Sequence, residues 1–332
     1  MSTVDSLQSP RFCGIRTFMR QPWKQDACGT DAVILGIPFD SGTSYRPGTR
    51  FGPAALREAS TILKPYCPVL DADINKSLIL ADCGDIDTIP GYLEESLDKI
   101  CDALIPFFRS GSVPIVLGGD HSISLGVLRA VKNVLGPVAL VHFDAHSDTI
   151  PDYYGKPYNH GTPFYHALQE GLILPEKSTQ MGIRGPLYSR DALDWPRKQG
   201  LRIITGEELH RTGAESAAAE VLQRVGTSPV YISFDIDFLD ASHAPGTGTP
   251  EVEGFTSRQG LSLLRAICRS CRTVGMDLVE VLPDRDTSGI TALAGASMVH
   301  AFLAALAWKK ARKAAPTQPE TQAHLMGIRG SI

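Results

Sequence analysis

The chain has 332 residues, of which 43% are hydrophobic and 20% are charged, and its formal net charge is −4. This composition is ordinary for a globular protein with a large buried core, and it gives no indication of the clustered basic surface that nucleic-acid binding needs. No apolar run approaches the roughly 20 residues that span a bilayer, so no contact with a membrane is predicted.

Residues 1–30 precede the first predicted strand, and we expect them to form an N-terminal arm. The opening stretch MSTVDSLQSPRF does not place a charged segment before an apolar core, so no secretory signal is predicted. By default, this pattern favours a cytoplasmic location.

Eight short apolar stretches are predicted to form strands, at residues 33–37, 78–81, 115–117, 138–143, 179–183, 202–204, 230–234 and 274–279. Helix-length stretches lie between most of them, at residues 93–109, 122–134, 189–199, 214–224, 257–269 and about 290–314. This alternation predicts βαβ units and a mainly parallel sheet with helices on both faces. We expect residues 1–332 to form one domain, with a polar tail at residues 315–332.

The predicted helix at residues 257–269 has a candidate N-cap, Thr256, and ends near two cysteines, Cys268 and Cys271. Their CxxC spacing is that of a zinc-ligand pair, but a zinc site needs four ligands and no second pair lies nearby. The chain has seven scattered cysteines, which argues against a disulfide framework. We therefore expect Cys268 and Cys271 to be buried thiols of the helix core.

Polar side chains collect where four of the predicted strands end. GGDHS follows the strand at 115–117, DAHSD follows 138–143, DID follows 230–234, and Glu280 follows 274–279. In open α/β sheets, ligands bind at the carboxyl ends of the strands. The sequence therefore predicts that carboxylates and imidazoles from four strands meet at one edge of the sheet.

The spacing within these motifs indicates a metal centre. Asp144, His146 and Asp148 alternate, as do Asp235 and Asp237, so continued strand geometry would direct each set to one face. Crowded carboxylates repel one another unless divalent cations neutralise them. Two histidines with four aspartates exceed the ligand set of one tetrahedral zinc and suit two ions with bridging carboxylates. Mixed oxygen and imidazole donors favour Mn(II), Co(II), Ni(II), Fe(II) or Zn(II) over Mg(II) or Ca(II).

Each of these residues alone also has an ordinary structural explanation. An aspartate after a strand is often a turn or N-cap residue, and His121 alone is compatible with a buried core histidine. His142, inside VHFDAH, is predicted to be structural. The prediction of a metal centre depends on three clusters of complementary ligands at the ends of three strands.

Several motifs in order resemble those of the ureohydrolase family of arginases, agmatinases and guanidino-acid hydrolases. They are GGDHS (118–122), DAHSD (144–148), SFDIDFLD (233–240), APGTGTPE (244–251) and VEV (279–281). The resemblance covers about residues 12–310 and implies a three-layer α/β/α sandwich around an eight-stranded, mainly parallel sheet. The segment PRFCGIRTFMR (10–20) resembles that of bacterial guanidinobutyrases and guanidinopropionases more than that of arginases.

The resemblance implies a ligand set for two divalent ions, which are usually Mn(II) and in a few members Ni(II). One ion would be bound by His121, Asp144, Asp148 and Asp235. The other ion would be bound by Asp144, His146, Asp235 and Asp237. Asp144 and Asp235 would bridge the two ions, which makes Asp144 part of the catalytic centre.

The resemblance also implies two residues that act on the substrate. His160, in NHGTPF, matches the proton-shuttling histidine of the family, and an exposed loop histidine is the alternative. Glu280 matches the carboxylate that binds the guanidinium group. Hydroxide supplied at the metals would attack the guanidinium carbon, and the intermediate would collapse to urea and an amine that His160 protonates.

The substrate tail is left open by the sequence. After Glu280 the chain reads LPDRD (282–286), where agmatinase-like members usually read SPPYD. Arg285 is a candidate partner for a substrate carboxylate, which favours a guanidino acid such as 4-guanidinobutanoate or 3-guanidinopropanoate. A surface arginine explains Arg285 equally well, and agmatine or a small or N-alkylated guanidine are the alternatives.

Two functions of other classes also stay open. The chain is compatible with a non-catalytic partner subunit, although its complete ligand set argues against that role. A deacetylase acting on acyl amides shares the sheet architecture, but the ligand set favours guanidine hydrolysis. Because the family commonly forms trimers or hexamers, we expect a homo-oligomer whose other partner is a small guanidino substrate, with no nucleic acid and no membrane.

Overall fold

The computed structural model describes residues 3–314, so the predicted tail at residues 315–332 lies outside the described residues. Its strands, in chain order, are β1 (Ala32–Ile37), β2 (Tyr66–Cys67), β3 (Ala72–Asp73), β4 (Leu80–Asp85), β5 (Val113–Gly118), β6 (Ala139–Phe143), β7 (Thr179–Ile183), β8 (Arg202–Thr205), β9 (Pro229–Asp235) and β10 (Arg272–Val279). All eight predicted strands are present, with ends that differ by a few residues. The short antiparallel ribbon of β2 and β3 was not predicted.

The eight predicted strands form one sheet in the order β4-β1-β5-β10-β9-β6-β7-β8. Every pairing in this sheet is parallel, as the alternation of strands and helices predicts. Strands β5, β10, β9 and β6 are consecutive neighbours at the centre of the sheet. Their carboxyl ends, which carry the candidate site motifs, therefore meet at one place.

The helices, in chain order, are α1 (Gly52–Ser60), α2 (Ile74–Ser77), α3 (Leu93–Arg109), α4 (Ile123–Leu135), α5 (Pro163–Gln169), α6 (Asp194–Lys198), α7 (Gly206–Val225), α8 (Ser257–Ser270) and α9 (Ile290–Ala314). The predictions for α3, α4, α8 and α9 are confirmed to within a residue or so. The predicted helix at 189–199 shrinks to α6. Helix α7 begins at 206 rather than 214, with a break at Gly213, whose φ is +81°.

Helices cover both faces of the sheet and enclose two apolar cores. Ile34 of β1 belongs to the core that includes residues of α1, α7, α8 and α9 on one face. Val33 and Leu35, its neighbours in the strand, belong to the core that includes residues of α3, α4 and α5 on the other. Successive side chains of a strand point to opposite faces, so a strand covered on both sides is mostly apolar. The predicted three-layer α/β/α sandwich is confirmed.

Helix α8 begins and ends as the sequence predicts. The Thr256 side chain accepts from the backbone N–H of Gln259, whose own side chain accepts from the Thr256 backbone, and this pair forms a capping box. Cys268 and Cys271 are buried free thiols at the other end of the helix. The expectation that they belong to the core is therefore confirmed.

One helix of the described part, Thr287–Lys313, is long and apolar enough to span a membrane by composition, with a mean hydropathy of 1.8. The expectation that no apolar run approaches that length was wrong for this segment. In the structure, 72% of its most apolar window is buried inside the protein. Its hydropathy is that of a core helix, because α9 packs against α1 and α8 on one face of the sheet.

Candidate metal centre

The ends of β5 and β10 are joined by close backbone contacts. After β5, the chain passes so near to the segment after β1 that a Cβ at Gly119 would overlap the carbonyl oxygen of Phe39. The Glu280 backbone N–H donates to the Gly119 carbonyl at 2.9 Å. The backbone N–H of His121 in turn donates to Oε1 of Glu280 at 2.9 Å. These contacts fix His121 and Glu280 next to each other.

His121 lies among three carboxylates. Its Nδ1 atom is 3.1 Å from Asp144, 2.9 Å from Asp148 and 3.2 Å from Asp235. The ring is buried, and within the described residues Nδ1 has no partner with hydrogen-bond geometry. A nitrogen surrounded by carboxylate oxygens that it does not bond directly is the arrangement expected where all four atoms face one cation.

A second group of donors lies beside the first. The Nδ1 atom of His146 is 3.0 Å from Oδ2 of Asp237 and 3.5 Å from Oδ1 of Asp144. The other oxygen of Asp144 faces His121. Asp144 therefore contacts both groups, as the bridging role requires. The ligand atoms of Asp144, His146 and Asp237 all lie within 4.8 Å of one another.

The convergence of these residues has a different local cause from the one predicted. Strand β6 ends at Phe143, and Asp148 has a φ of +51°, so strand geometry does not continue through DAHSD. Instead, Asp144 accepts from the backbone N–H of His146, and Asp235 accepts from that of Asp237. Such side-chain-to-backbone bonds two residues apart form tight turns. The assumption of extended geometry was wrong, although the residues meet.

The buried carboxylates are strongly perturbed without a cation. Burial raises the pKa of Asp235 well above its ordinary value, and the charges of Asp237 and Asp144 add to the shift. Burial and the charge of Asp144 raise the pKa of Asp237 to about 6. The pKa of Asp144 lies well below its ordinary value. Burial acts to raise it, but His142, His121 and His146 together outweigh the effect of burial. The predicted repulsion is therefore present, and divalent cations would relieve it.

His160 and Glu280 form a buried pair at the edge of this cluster. The Nδ1 atom of His160 is 3.0 Å from Oε1 of Glu280, and its Nε2 atom is 2.6 Å from the Ser44 hydroxyl. Because only 8% of His160 is exposed, the alternative of an exposed loop histidine was wrong. Burial alone lowers the pKa of His160, but the hydrogen bond and charge of Glu280 raise it to about 9.

Glu280 combines a strained backbone with one unused oxygen. Its φ is +63°, a conformation that costs energy for a residue other than glycine and that clusters at functional sites. Its Oε2 atom is buried without a hydrogen-bond partner within the described residues. A Cβ at Gly248 would lie 3.5 Å from this oxygen, so the loop that contains Gly248 packs beside the site. Oε2 is therefore available to a donor from a ligand.

Arg285 lies apart from the buried cluster. It ends the short 3-10 helix Pro283–Arg285, and its side chain is exposed. No hydrogen bond or ion pair between residues 3 and 314 joins its guanidinium group to His160 or Glu280. The structure thus groups the six predicted ligands with His160 and Glu280, and it leaves Arg285 on the surface five positions after Glu280.

Three contacts of the site were missed in the sequence. Nε2 of His142 donates to Oδ2 of Asp144 at 2.8 Å, and its position two residues before Asp144 was a usable signal. Ser44 comes from the loop after β1, the neighbour of β5, so the rule on carboxyl ends applied to it as well. Glu251, whose Oε1 is 3.7 Å from Nε2 of His146, had no signal beyond its motif.

The fold and the two groups of buried donors define the class, a three-layer α/β/α hydrolase with a candidate binuclear metal centre. Residues 30–305 match the family model described as the arginase family. The chain belongs to the arginase family, as its motifs predict.

Relatives of this chain carry different names at almost equal identity. The chain is 42% identical to proclavaminate amidinohydrolase of Streptomyces clavuligerus, covering 88% of this chain and 93% of that protein. The solved structure of that enzyme has a TM-score of 0.87 at 40% identity, covering 91% and 100% of the two chains. Guanidinopropionase of Pseudomonas aeruginosa is 42% identical, covering 94% and 98%. Mitochondrial agmatinase of Gallus gallus is 43% identical, covering 88% and 86%.

Proposed function

We propose that this chain is a binuclear-metal ureohydrolase that cleaves a guanidino acid, such as 4-guanidinobutanoate or 3-guanidinopropanoate, to urea and an amine. The observation that carries the proposal is Glu280, whose Oε2 atom is buried without a hydrogen-bond partner within the described residues. Glu280 lies next to His121, which belongs to a cluster of four aspartates and two histidines. The names of the relatives support this class of reaction and this class of substrate.

The residues present fit two divalent ions. His121, Asp144, Asp148 and Asp235 would hold one ion, and Asp144, His146, Asp235 and Asp237 would hold the other. The orphaned nitrogen of His121 and the raised pKa of the buried carboxylates support this assignment. When bound, such ions supply a hydroxide nucleophile near neutral pH. The family resemblance favours Mn(II), with Ni(II) as the alternative, and the mixed oxygen and imidazole donors suit both ions.

Glu280 would bind and orient the substrate. A guanidinium group stays protonated at neutral pH and presents its N–H donors in a rigid plane. Oxygen Oε1 of Glu280 is already occupied by His121 and His160, which leaves Oε2 for the substrate. A charge-assisted hydrogen bond to this oxygen would place the guanidinium carbon beside the aspartate cluster.

His160 would supply the proton that the leaving amine needs. A carboxylate only accepts hydrogen bonds, so the contact with Glu280 requires a proton on Nδ1 of His160. In the metal-free protein the hydrogen bond and charge of Glu280 raise the pKa of this histidine to about 9, which favours a proton held at this position. The Ser44 hydroxyl at Nε2 holds the other side of the ring and fixes its orientation. His160 would then act as a general acid as the carbon–nitrogen bond breaks.

The substrate tail requires an experiment, because relatives with different substrates are equally similar to this chain. Urea release is to be measured with 4-guanidinobutanoate, 3-guanidinopropanoate, agmatine, arginine and simple guanidines, separately with Mn(II) and Ni(II). We expect the two acids to be preferred, and Arg285→Ala to raise their KM while Arg312→Ala does not. Preference for agmatine would establish the runner-up, an agmatinase. No urea from any substrate, with two ions bound, would indicate a non-catalytic partner subunit.

We also propose that each chain forms one catalytic domain and that the chains assemble into a homo-oligomer, a trimer or hexamer. The proposed location is the cytoplasm. Three apolar side chains of the N-terminal arm, Leu7, Phe12 and Ile15, are 94%, 79% and 71% exposed. Several large exposed apolar side chains on one segment are compatible with an interface. Light scattering of the purified protein tests this assembly, and a monomer at micromolar concentration would contradict it.

A further inference from the structure

The ring of His121 is held from the side opposite the carboxylates. Its Nε2 atom lies 2.9 Å from the hydroxyl oxygen of Ser233, a residue of β9. Both residues are buried, so no solvent competes for this contact. The orientation of the ring, and which of its nitrogens carries a proton, therefore depend on what Ser233 does with its one hydroxyl proton.

The hydroxyl proton of Ser233 is donated to Asp277. Its hydroxyl donates to Oδ1 of Asp277 at 2.7 Å. A serine hydroxyl has a single proton, so towards His121 its oxygen only accepts. The Nε2 atom of His121 must then carry a hydrogen, which leaves the lone pair of the neutral ring on Nδ1. That lone pair faces Asp144, Asp148 and Asp235.

Asp277 is itself fixed by three hydroxyl donors from two elements, β9 and α4. Besides Ser233, its other oxygen accepts from Tyr231 at 2.9 Å and from Ser124 of α4 at 2.8 Å. Asp277 is fully buried on β10, paired in register with Ser233 on β9. The sheet thus contains a buried carboxylate that accepts hydrogen bonds from all three of these hydroxyl groups.

We propose that Asp277 is a positioning residue that acts through Ser233 to keep Nδ1 of His121 free as a metal ligand. This inference rests on the proposed binuclear centre. Residues that hydrogen-bond a metal-ligating histidine orient the ring, and their loss typically lowers metal affinity about 10- to 100-fold. The Asp277–Ser233–His121 chain serves the ion that His121 would bind, whereas the His146 ring faces Asp144 and Asp237.

The experiment is calorimetric titration of the metal-free full chain with Mn(II), together with metal content after gel filtration. In Ser233→Ala, one of two sites is expected to weaken about 10- to 100-fold while the other stays within about threefold. Asp277→Leu is expected to weaken the same site, because Ser233 is then free to donate to His121. Tyr231→Phe is the matched control, since it removes another donor to Asp277 without touching Ser233, and both sites are expected to stay within threefold.

Nitrogen NMR of the Zn(II)-loaded protein is the second measurement. It reports which ring nitrogen of His121 carries a proton, and a change in packing alone would not alter that result. The wild-type protein is expected to show His121 protonated at Nε2, and Ser233→Ala to lose or redistribute that signal. Should Asp277→Leu fail to fold, Ser233→Ala and the NMR signal still decide. Equally weakened metal affinity in Ser233→Ala and Tyr231→Phe, or unchanged affinity in Ser233→Ala, would overturn this inference and leave the proposed binuclear centre standing. A wild-type chain that binds fewer than two ions would overturn the proposed centre and this inference with it.

Discussion

His160 and Glu280 lie 120 positions apart in the chain, yet Nδ1 of the histidine is 3.0 Å from Oε1 of the glutamate. The same oxygen accepts from the backbone of His121. The candidate proton donor, the candidate guanidinium-binding carboxylate and a candidate metal ligand therefore share one atom. Substitutions at His160 and at Glu280 test the proposed role of each residue separately.

Glu280→Gln keeps the shape of the side chain and removes its charge. A hydrogen bond to a charged group contributes about 1.5–3 kcal/mol, so kcat/KM is expected to fall about 10- to 150-fold while two ions stay bound. Steady-state urea release and metal content measure the two effects. Glu207→Gln, on the exposed surface of α7, is the control and is expected to change neither. An unaltered kcat/KM would remove Glu280 from substrate binding.

His160→Ala removes the proposed general acid. General acid catalysis contributes typically about 100- to 10,000-fold, so kcat at neutral pH is expected to fall within that range. Added imidazole is expected to restore part of the rate, because it supplies the missing group from solution. His210→Ala, at an exposed position, is the control. A wild-type kcat in His160→Ala would exclude the proton-transfer role.

The His160–Glu280 pair gives the metal-free protein a pH-dependent stability. The pKa of His160 is about 9, above the roughly 6.5 of an unfolded histidine. The pair therefore contributes fully below about pH 6.5 and loses its contribution as the pH rises through about 9. We expect the difference in the free energy of unfolding between wild type and His160→Gln to shrink between pH 6 and 9.5, by roughly 3 kcal/mol at most. A difference that grows with pH would contradict this assignment.

Gly119→Ala tests the backbone that places His121 and Glu280. The added Cβ would overlap the Phe39 carbonyl, and overpacking costs about 1–3 kcal/mol or more. We expect loss of stability in denaturant unfolding together with weaker metal binding. Gly136→Ala is the contrasting variant, because its φ is +79° but open space surrounds it. It is expected to cost about 1 kcal/mol and to leave metal binding unchanged.

The sheet was predictable because its strands are buried on both faces. The apolar run 33–37 lies within β1, which reads AVILGI and is buried throughout, because the strand is covered on each side. Helix α7 was predicted too short because GEELHRTG is polar and Gly213 breaks the helical pattern. Helices α1 and α5 open with Gly-Pro and Thr-Pro pairs, which in sequence indicate turns as readily as helix starts.

The donors of the site were predictable from strand ends, but their partners were not. Asp144 and Asp235 follow apolar strands and stand out locally. Ser44 reaches His160 across 116 positions, and Asp277 reaches Ser233 across 44, so no local pattern announces either contact. Residue Asp277 sits inside an apolar strand, where a lone carboxylate gives no indication of the hydroxyls that surround it.

The central claim is that six side chains hold two divalent ions, and anomalous diffraction from Mn(II)-loaded crystals tests it most directly. We expect two peaks, about 3.5–4 Å apart, between His121, His146 and the four aspartates in the wild type. Asp235→Asn crystals are expected to lose at least one peak, with urea release lost in parallel. A single peak or none in the wild type, or two peaks with full activity in Asp235→Asn, would contradict the account.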